Sequence, residues 1–337
     1  MAGSQTSTRT RLQRTKGYDP EPFDVNPLWR MPPNPVAIVR WLVTTYLFWQ
    51  TAAWYTIGYI AWRVLTPGLD RFAALGVDDV AVLWARNVAI MIVVIGGQHY
   101  ALYMRKTQGT DFKYESRWPA KNRRSFTFDD QVKDNVFWCL ASGATVAAIY
   151  EAVLFRLYAS GSLPEVEVWW TIALMAAAIP FIEGVHFYLN HRLLHVDPLY
   201  KWFHALHHRN VNTGPWTGVS MSPGEHVLYL STPFVFLVLP GHPYLITFTL
   251  LYLLLSPSPS HSGFDRWKLF GTDVQGGDIF HNLHHRYFEV NYGMSLVPMD
   301  KWFGTWHDGS MEAHDAMKSR KRQSAEAADT APVAGDA

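Results

Sequence analysis

The chain has 337 residues, with 29 Lys and Arg against 28 Asp and Glu, for a formal net charge of +1. Nucleic-acid binding asks for a strong basic excess, which that balance excludes. A single cysteine, Cys139, excludes a disulfide framework and any thiolate-rich zinc or iron–sulfur site. Aromatic residues make up 15% of the chain, a share that suits contact with a membrane interface or a lipid. The mean hydropathy of −0.04 hides a segregation, because apolar residues gather in runs and charges collect between them.

The first 35 residues are basic, with Arg9, Arg11, Arg14 and Lys16, and lack the apolar core of a secretory signal. Apolar runs follow at 36–65, 80–104, 136–158 and 168–185. Each is roughly 18 to 30 residues, enough to cross about 30 Å of hydrocarbon at about 1.5 Å per residue. Four transmembrane helices are expected. Residues 226–256 are broken by Pro240, Gly241 and Pro243 into two shorter apolar arms. They predict a half-inserted hairpin, whose turn needs protein or water around it.

Orientation follows from the loops. Five Lys and Arg precede residue 36 and eight lie in 105–133, while 65–79 has only Arg71 and 159–167 has none. Positive charge stays inside, so the N-terminus and everything after the fourth span are expected in the cytoplasm. The expected fold is an all-α integral membrane protein with about four transmembrane helices, a broken half-inserted hairpin and a cytoplasmic helical histidine-rich metal domain. Its parts are a cytoplasmic N-terminal segment (1–35), the spans with a basic loop at 105–134 (36–185), the metal domain with the hairpin (186–310), and a polar, Ala-rich disordered tail (311–337). The absence of a C-terminal endoplasmic-reticulum address favours a bacterial inner membrane.

Histidines carry the chemistry. His191 and His195 are four apart, and His204, His207 and His208 stand at i, i+3 and i+4, as do His281, His284 and His285. On a helix each set shares one face. A lone histidine on an apolar face is usually a satisfied core residue. Three ring sets on one side of a membrane are costly polar surface unless something uses them. Neutral imidazoles are common ligands of zinc, copper and iron. Eight of them exceed the four ligands of tetrahedral zinc, so two metals with four to six ligands each are expected, and iron fits best.

These residues resemble the sterol desaturase and fatty-acid hydroxylase superfamily of membrane-bound, histidine-box di-iron enzymes. "NHRLLH" from Asn190 looks like the first histidine box, and "FHALHHR" from Phe203 the second. "SPSHSGFD", ending at Asp265, is similar to the element that supplies an isolated histidine, here His261. "FHNLHHRYFEVNYGMSLVPMDKWFGT" from Phe280 looks like the third box with its Asn-Tyr-Gly and Asp-x-x-Phe-Gly-Thr signature. Members often have His-Pro-x-x-Glu between the second and third boxes. Here Ser222 stands in place of that histidine, with Pro223 and Glu225 kept, and Val196 follows the first box where sterol methyl oxidases tend to have another histidine. An open or water-filled position at Ser222 is expected, with His226 supporting the ligands beside it. His186 is the rival candidate for a further ligand.

The resemblance implies two iron ions, which zinc can replace on purification, and the use of O2 to hydroxylate or desaturate a sterol-like, fatty acyl or other lipid. The implied ligands are His191, His195, His204, His207, His208, His261, His281, His284 and His285, with no catalytic residue beyond them. Neither a haem-binding His-Pro-Gly-Gly element nor a Gly-x-Gly-x-x-Gly fingerprint is present. Electrons therefore come from a separate cytochrome b5-, ferredoxin- or reductase-like protein. The rival readings are a membrane zinc hydrolase and a metal transporter or electron carrier. A hydrolase wants a carboxylate base within its boxes, as in H-E-x-x-H, and none is there. A transporter places its ligands inside the spans rather than beyond them.

Overall fold

The computed structural model describes residues 17–330. The basic residues Arg9, Arg11, Arg14 and Lys16, and the end of the tail from 331, lie outside the described residues.

Helix α1 (35–65) starts on Pro35, with the Asn34 side chain accepting from the Ala37 amide at 3.1 Å. Proline at the first position and Asn as cap are the expected start signals. Its middle, Leu42–Thr51, is π-helical. Three further helices are long and apolar enough to cross a membrane: α2 (Val77–Met104), α3 (Gln131–Ala159) and α4 (Trp169–Leu194). Of the four expected spans, these three meet that measure among the described residues. Helix α1 is continuous but rich in Trp, Tyr and Thr, residues that favour the interface over hydrocarbon.

After α4 come α5 (200–208), which joins a π-helical turn, Tyr200–His204, to Ala205–His208, and then α6 (Pro223–Tyr229) and α7 (Pro243–Leu255). The break between α6 and α7 falls where the prolines predict it. The Gly241 amide donates to Pro164 O at 2.7 Å, and the Val166 amide to Gly241 O at 3.0 Å. Those partners lie in the connection between α3 and α4, so the turn reaches the end of the bundle opposite the histidines. Every residue of α7 except Tyr244 is buried. A helix apolar on all faces is one enclosed by others. Below it, the Arg86 guanidinium of α2 pairs with Glu151 of α3, and Thr247 of α7 donates to the same carboxylate at 2.6 Å.

Two features depart from the expected architecture. Strands β1 (Arg266–Leu269) and β2 (Thr272–Gln275) pair antiparallel, Leu269 opposite Thr272, around Phe270 and Gly271 at φ of 50° and 81°. Two positive-φ residues make the tight turn whose twist matches the strands. Helix α8 (Ile279–Tyr287) follows, capped by Asp278. The segment expected to be a disordered tail instead forms α9 (Met311–Thr330). The described N-terminal segment straps the histidine end, with the Trp29 indole donating to Leu296 O at 2.8 Å.

Candidate metal centre

All nine histidines implied as ligands converge, and they sort into two groups. His191, His195, His204, His208 and His284 offer ring nitrogens within 4.8 Å of one another, as do His207, His261, His281 and His285. The three-histidine motifs do not each face one way, as their spacing suggested. His204 and His208 serve the first group and His207 the second, while His281 and His285 serve the second and His284 the first. Adjacent residues on a helix point about 100° apart, so each motif feeds both groups. The π-helical turn entering α5 lies where such turns often mark functional sites.

The hydrogen bonds around the rings fix what the inner nitrogens present. His191 Nδ1 donates to Tyr292 O at 2.5 Å, His284 Nδ1 to Val290 O at 2.7 Å, and His261 Nδ1 to Pro257 O at 2.8 Å. A carbonyl only accepts, so each of these rings carries its proton on Nδ1 and a bare lone pair on Nε2. Those Nε2 atoms meet other imidazole nitrogens: His191 faces His204 at 2.9 Å, His284 faces His208 at 3.0 Å, and His261 faces His285 at 3.0 Å. His204 also gives its Nδ1 proton away, to Glu225, so the facing Nε2 lone pairs of His191 and His204 repel unless a cation lies between them.

The spacing fits such a cation. With metal–nitrogen bonds of about 2.1 Å, ligands about 90° apart sit about 3.0 Å from each other, against about 3.4 Å for a tetrahedron. Burial, reinforced by the neighbouring imidazoles, holds His195 down at about 2 and His261 at about 3, and burial puts His207 at about 4. The rings are therefore neutral, the form that ligates.

The box-three signature explains the supporting carbonyls. Asp300 accepts from the Tyr292 and Gly293 amides at 2.8 and 2.7 Å and from the Thr305 hydroxyl at 2.6 Å. Asn291 donates to Phe280 O and His307 O, both at 2.9 Å. These bonds pin the 290–293 turn so that Val290 O and Tyr292 O aim at His284 and His191. A Cβ on Gly293 would lie 3.0 Å from Asp300 Oδ2 and 3.3 Å from the Tyr188 ring, so only glycine fits without displacement.

Sequence reading did not give Glu225 a role. It stands in the altered His-Pro-x-x-Glu element, and its Oε1 accepts from His204 Nδ1 at 2.7 Å. Burial pushes its carboxyl well above the usual range, so its charge needs the positive charge that a metal on His204 would supply. Carboxylate–histidine–metal chains of this kind fix the ring and raise its basicity. Glu225→Gln is expected to weaken metal retention by about 10- to 100-fold in chelator competition. Unchanged retention would show that the contact only packs.

The supplementary candidates stand apart. Ser222 caps α6, its hydroxyl accepting from the Glu225 amide at 3.2 Å. His226 is fully occupied by Ser142 Oγ at 3.0 Å and Val219 O at 3.1 Å. His186 bonds Ser231, Asn190 and Thr232. Neither belongs to either group of ring nitrogens. His307 is buried and stacks on Tyr287 with centroids 5.3 Å apart. His99 stacks on Tyr103.

A cavity of about 410 Å³ opens beside the second group, lined there by His207, His261 and His281. It runs along α1 and α4 to Glu183 and Tyr252. The half-exposed Trp49 lines it from α1 and donates its indole N–H to Gln275 O of β2 at 3.0 Å. Buried paired imidazole clusters able to hold metal thus lie beside a cavity, at the end of a bundle containing three helices long and apolar enough to cross a membrane.

Residues 172–305 match the family model described as fatty acid hydroxylase. A very-long-chain aldehyde decarbonylase of Oryza sativa is 34% identical over 149 residues, covering 41% of this chain and 55% of that protein. A methylsterol monooxygenase of Arabidopsis thaliana is 32% identical over 161 residues, 45% of this chain and 59% of that protein. A Δ7-sterol-C5(6)-desaturase of Nicotiana tabacum is 31% identical over 144 residues, 42% of this chain and 52% of that protein. The matched segment is similar to fatty acid hydroxylase and sterol-modifying proteins, and it contains the histidine boxes. The chain spans little more than half the length of these relatives. No solved structure matches.

Proposed function

We propose that the protein is a membrane-bound, O2-dependent di-iron oxidoreductase that hydroxylates or desaturates a lipid. The observation that carries this reading is the pair of five- and four-histidine groups with inner nitrogens near 3.0 Å, the second group lining the cavity. Five nitrogens exceed a tetrahedral zinc site, and spacing near that of right angles suits iron, which weighs against a zinc hydrolase. Two irons held here would supply the two-electron activation of dioxygen that removes hydrogen from an unactivated C–H bond, giving an alcohol or, after a second removal, a double bond.

The protein's own part is to hold, orient and exclude. Tyr292 O, Val290 O and Pro257 O fix the ring tautomers, and Glu225 fixes His204. Phe187, centred 4.8 Å from His191 and 6.2 Å from His281, walls the cavity with an apolar ring where water would compete for the oxidant. The half-exposed Trp49 wall supports lateral entry of lipid from the bilayer. Of the nine imidazoles His195 alone is half-buried, which supports electron delivery from a separate donor protein at that face, away from the cavity. Placement in a bacterial inner membrane, with this end in the cytoplasm, completes the proposal.

Purified protein is expected to carry close to two metal ions per chain by elemental analysis. Lipid extracts of cells making it should differ from controls by one oxygen gained or two hydrogens lost. One metal or none in an active preparation would defeat the paired-iron reading.

A further inference from the structure

Glu183 sits on α4, eight residues and about 12 Å along the axis from His191. It is 2% exposed and lines the cavity. One carboxylate oxygen, Oε2, accepts from the Thr232 hydroxyl, with His186 Nδ1 3.6 Å away. The other, Oε1, is buried and has no partner among the described residues. Two neighbouring hydroxyls are already committed. Tyr229 donates to Leu253 O at 2.8 Å, and Thr51 to Tyr46 O at 2.8 Å. A buried carboxylate oxygen left unpaired costs far more than a neutral group would, so a donor is missing from the picture. The cavity holds a second buried oxygen of the same kind, Oε1 of Gln98, whose amide N–H donates to Ser258 Oγ at 2.9 Å.

We propose that Glu183 anchors the polar end of the substrate by accepting a hydrogen bond from a lipid hydroxyl, so that the enzyme acts on an alcohol rather than on an ester or ether. This deepens the proposed function and rests on it for the statement that the lipid is a substrate. The chemistry is selective by sign. The Gln98 oxygen accepts and cannot donate, and Glu183 Oε1 accepts wherever it carries no proton, so a hydroxyl can donate to both while an ester or ether can donate to neither. Phe187, one turn from Glu183 and packed against His191 and His281, separates the anchor from the metal groups. The bond attacked then lies on the order of 10 Å from the hydroxyl.

The test measures binding rather than turnover. Full-length protein in nanodiscs is titrated with cholesterol, cholesteryl methyl ether, 1-hexadecanol and hexadecyl methyl ether. Emission is followed from tryptophans that include the cavity-lining Trp49, Trp54 and Trp267. Wild type is expected to bind at least one alcohol about tenfold or more tightly than its ether, as a hydrogen bond to a charged group implies. Discrimination within the cholesterol pair alone would mark a ring substrate, and within the hexadecanol pair alone a chain substrate. Glu183→Leu should abolish the preference, while Glu183→Gln, which keeps an acceptor of the same shape, should retain part of it. Ethers that bind wild type as well as alcohols do, or a preference that survives in Glu183→Leu, would overturn the proposal. Metal content is measured on the same samples. A chain lacking paired metals would sink the proposed function and leave the alcohol preference standing.

Discussion

His208→Ala is expected to cost the chain one of its two metals and to lower product formation by more than about a hundredfold. The His208 Nε2 faces both His195 Nε2 at 3.1 Å and His284 Nε2 at 3.0 Å, so it is a shared vertex of the five-histidine group. Its ring also lies 5.1 Å from that of His285, which belongs to the other group. Removing a group that merely supports a ligand typically costs about 10- to 100-fold, and losing the vertex itself should exceed that. His226→Ala is the matched control. Both nitrogens of His226 are occupied by Ser142 and Val219, so this variant should keep two metals even if it is less stable. Elemental analysis with lipid mass spectrometry reads both. A His208→Ala protein with two metals and full turnover would refute the grouping.

The second large effect concerns stability. Glu151→Ala should destabilise the bundle by about 3–5 kcal/mol, because it leaves the Arg86 guanidinium buried without its carboxylate. The two side chains are 3% and 0% exposed, and the pair lies among apolar helices where no water can take its place. Replacing both partners, Arg86→Met with Glu151→Leu, removes the stranded charge and should recover most of the loss. Thermal unfolding in detergent decides the matter. A single variant as stable as the double one would mean that the ion pair contributes nothing to holding α2 against α3.

The metal site was more legible in the sequence than the fold around it. Spacings such as His204, His207 and His208 are local, and a helix turns them into neighbouring directions without help from distant chain. His261 has no such partner and was found only through resemblance. The division of each motif between two groups was not legible. It depends on where α5 and α8 cross, which is set by contacts far apart in sequence, such as His191 with Tyr292. Glu225 was visible only as the remnant of an altered motif, because its meaning lies in reaching His204, 21 residues earlier. Hydropathy found the apolar runs but could not rank them. Tryptophan and tyrosine in α1 serve interface and core alike, and prolines around Gly241 mark a break without saying how deep it lies. The alternating residues of β1 and β2 are too few to stand out against the helical pattern.

The enclosure of α7 bears on how the protein is made. Its 13 residues span about 20 Å, short of the roughly 30 Å of hydrocarbon, so it cannot hold a transmembrane position by itself. The groove that receives it is built by helices that precede it in the chain. His261, His281, His284 and His285 all follow α7 in the chain, so they reach the other five histidines only once that helix has docked. On the proposed function, uptake of the metal pair would then fall at the end of biogenesis, and a bound pair would certify a finished bundle.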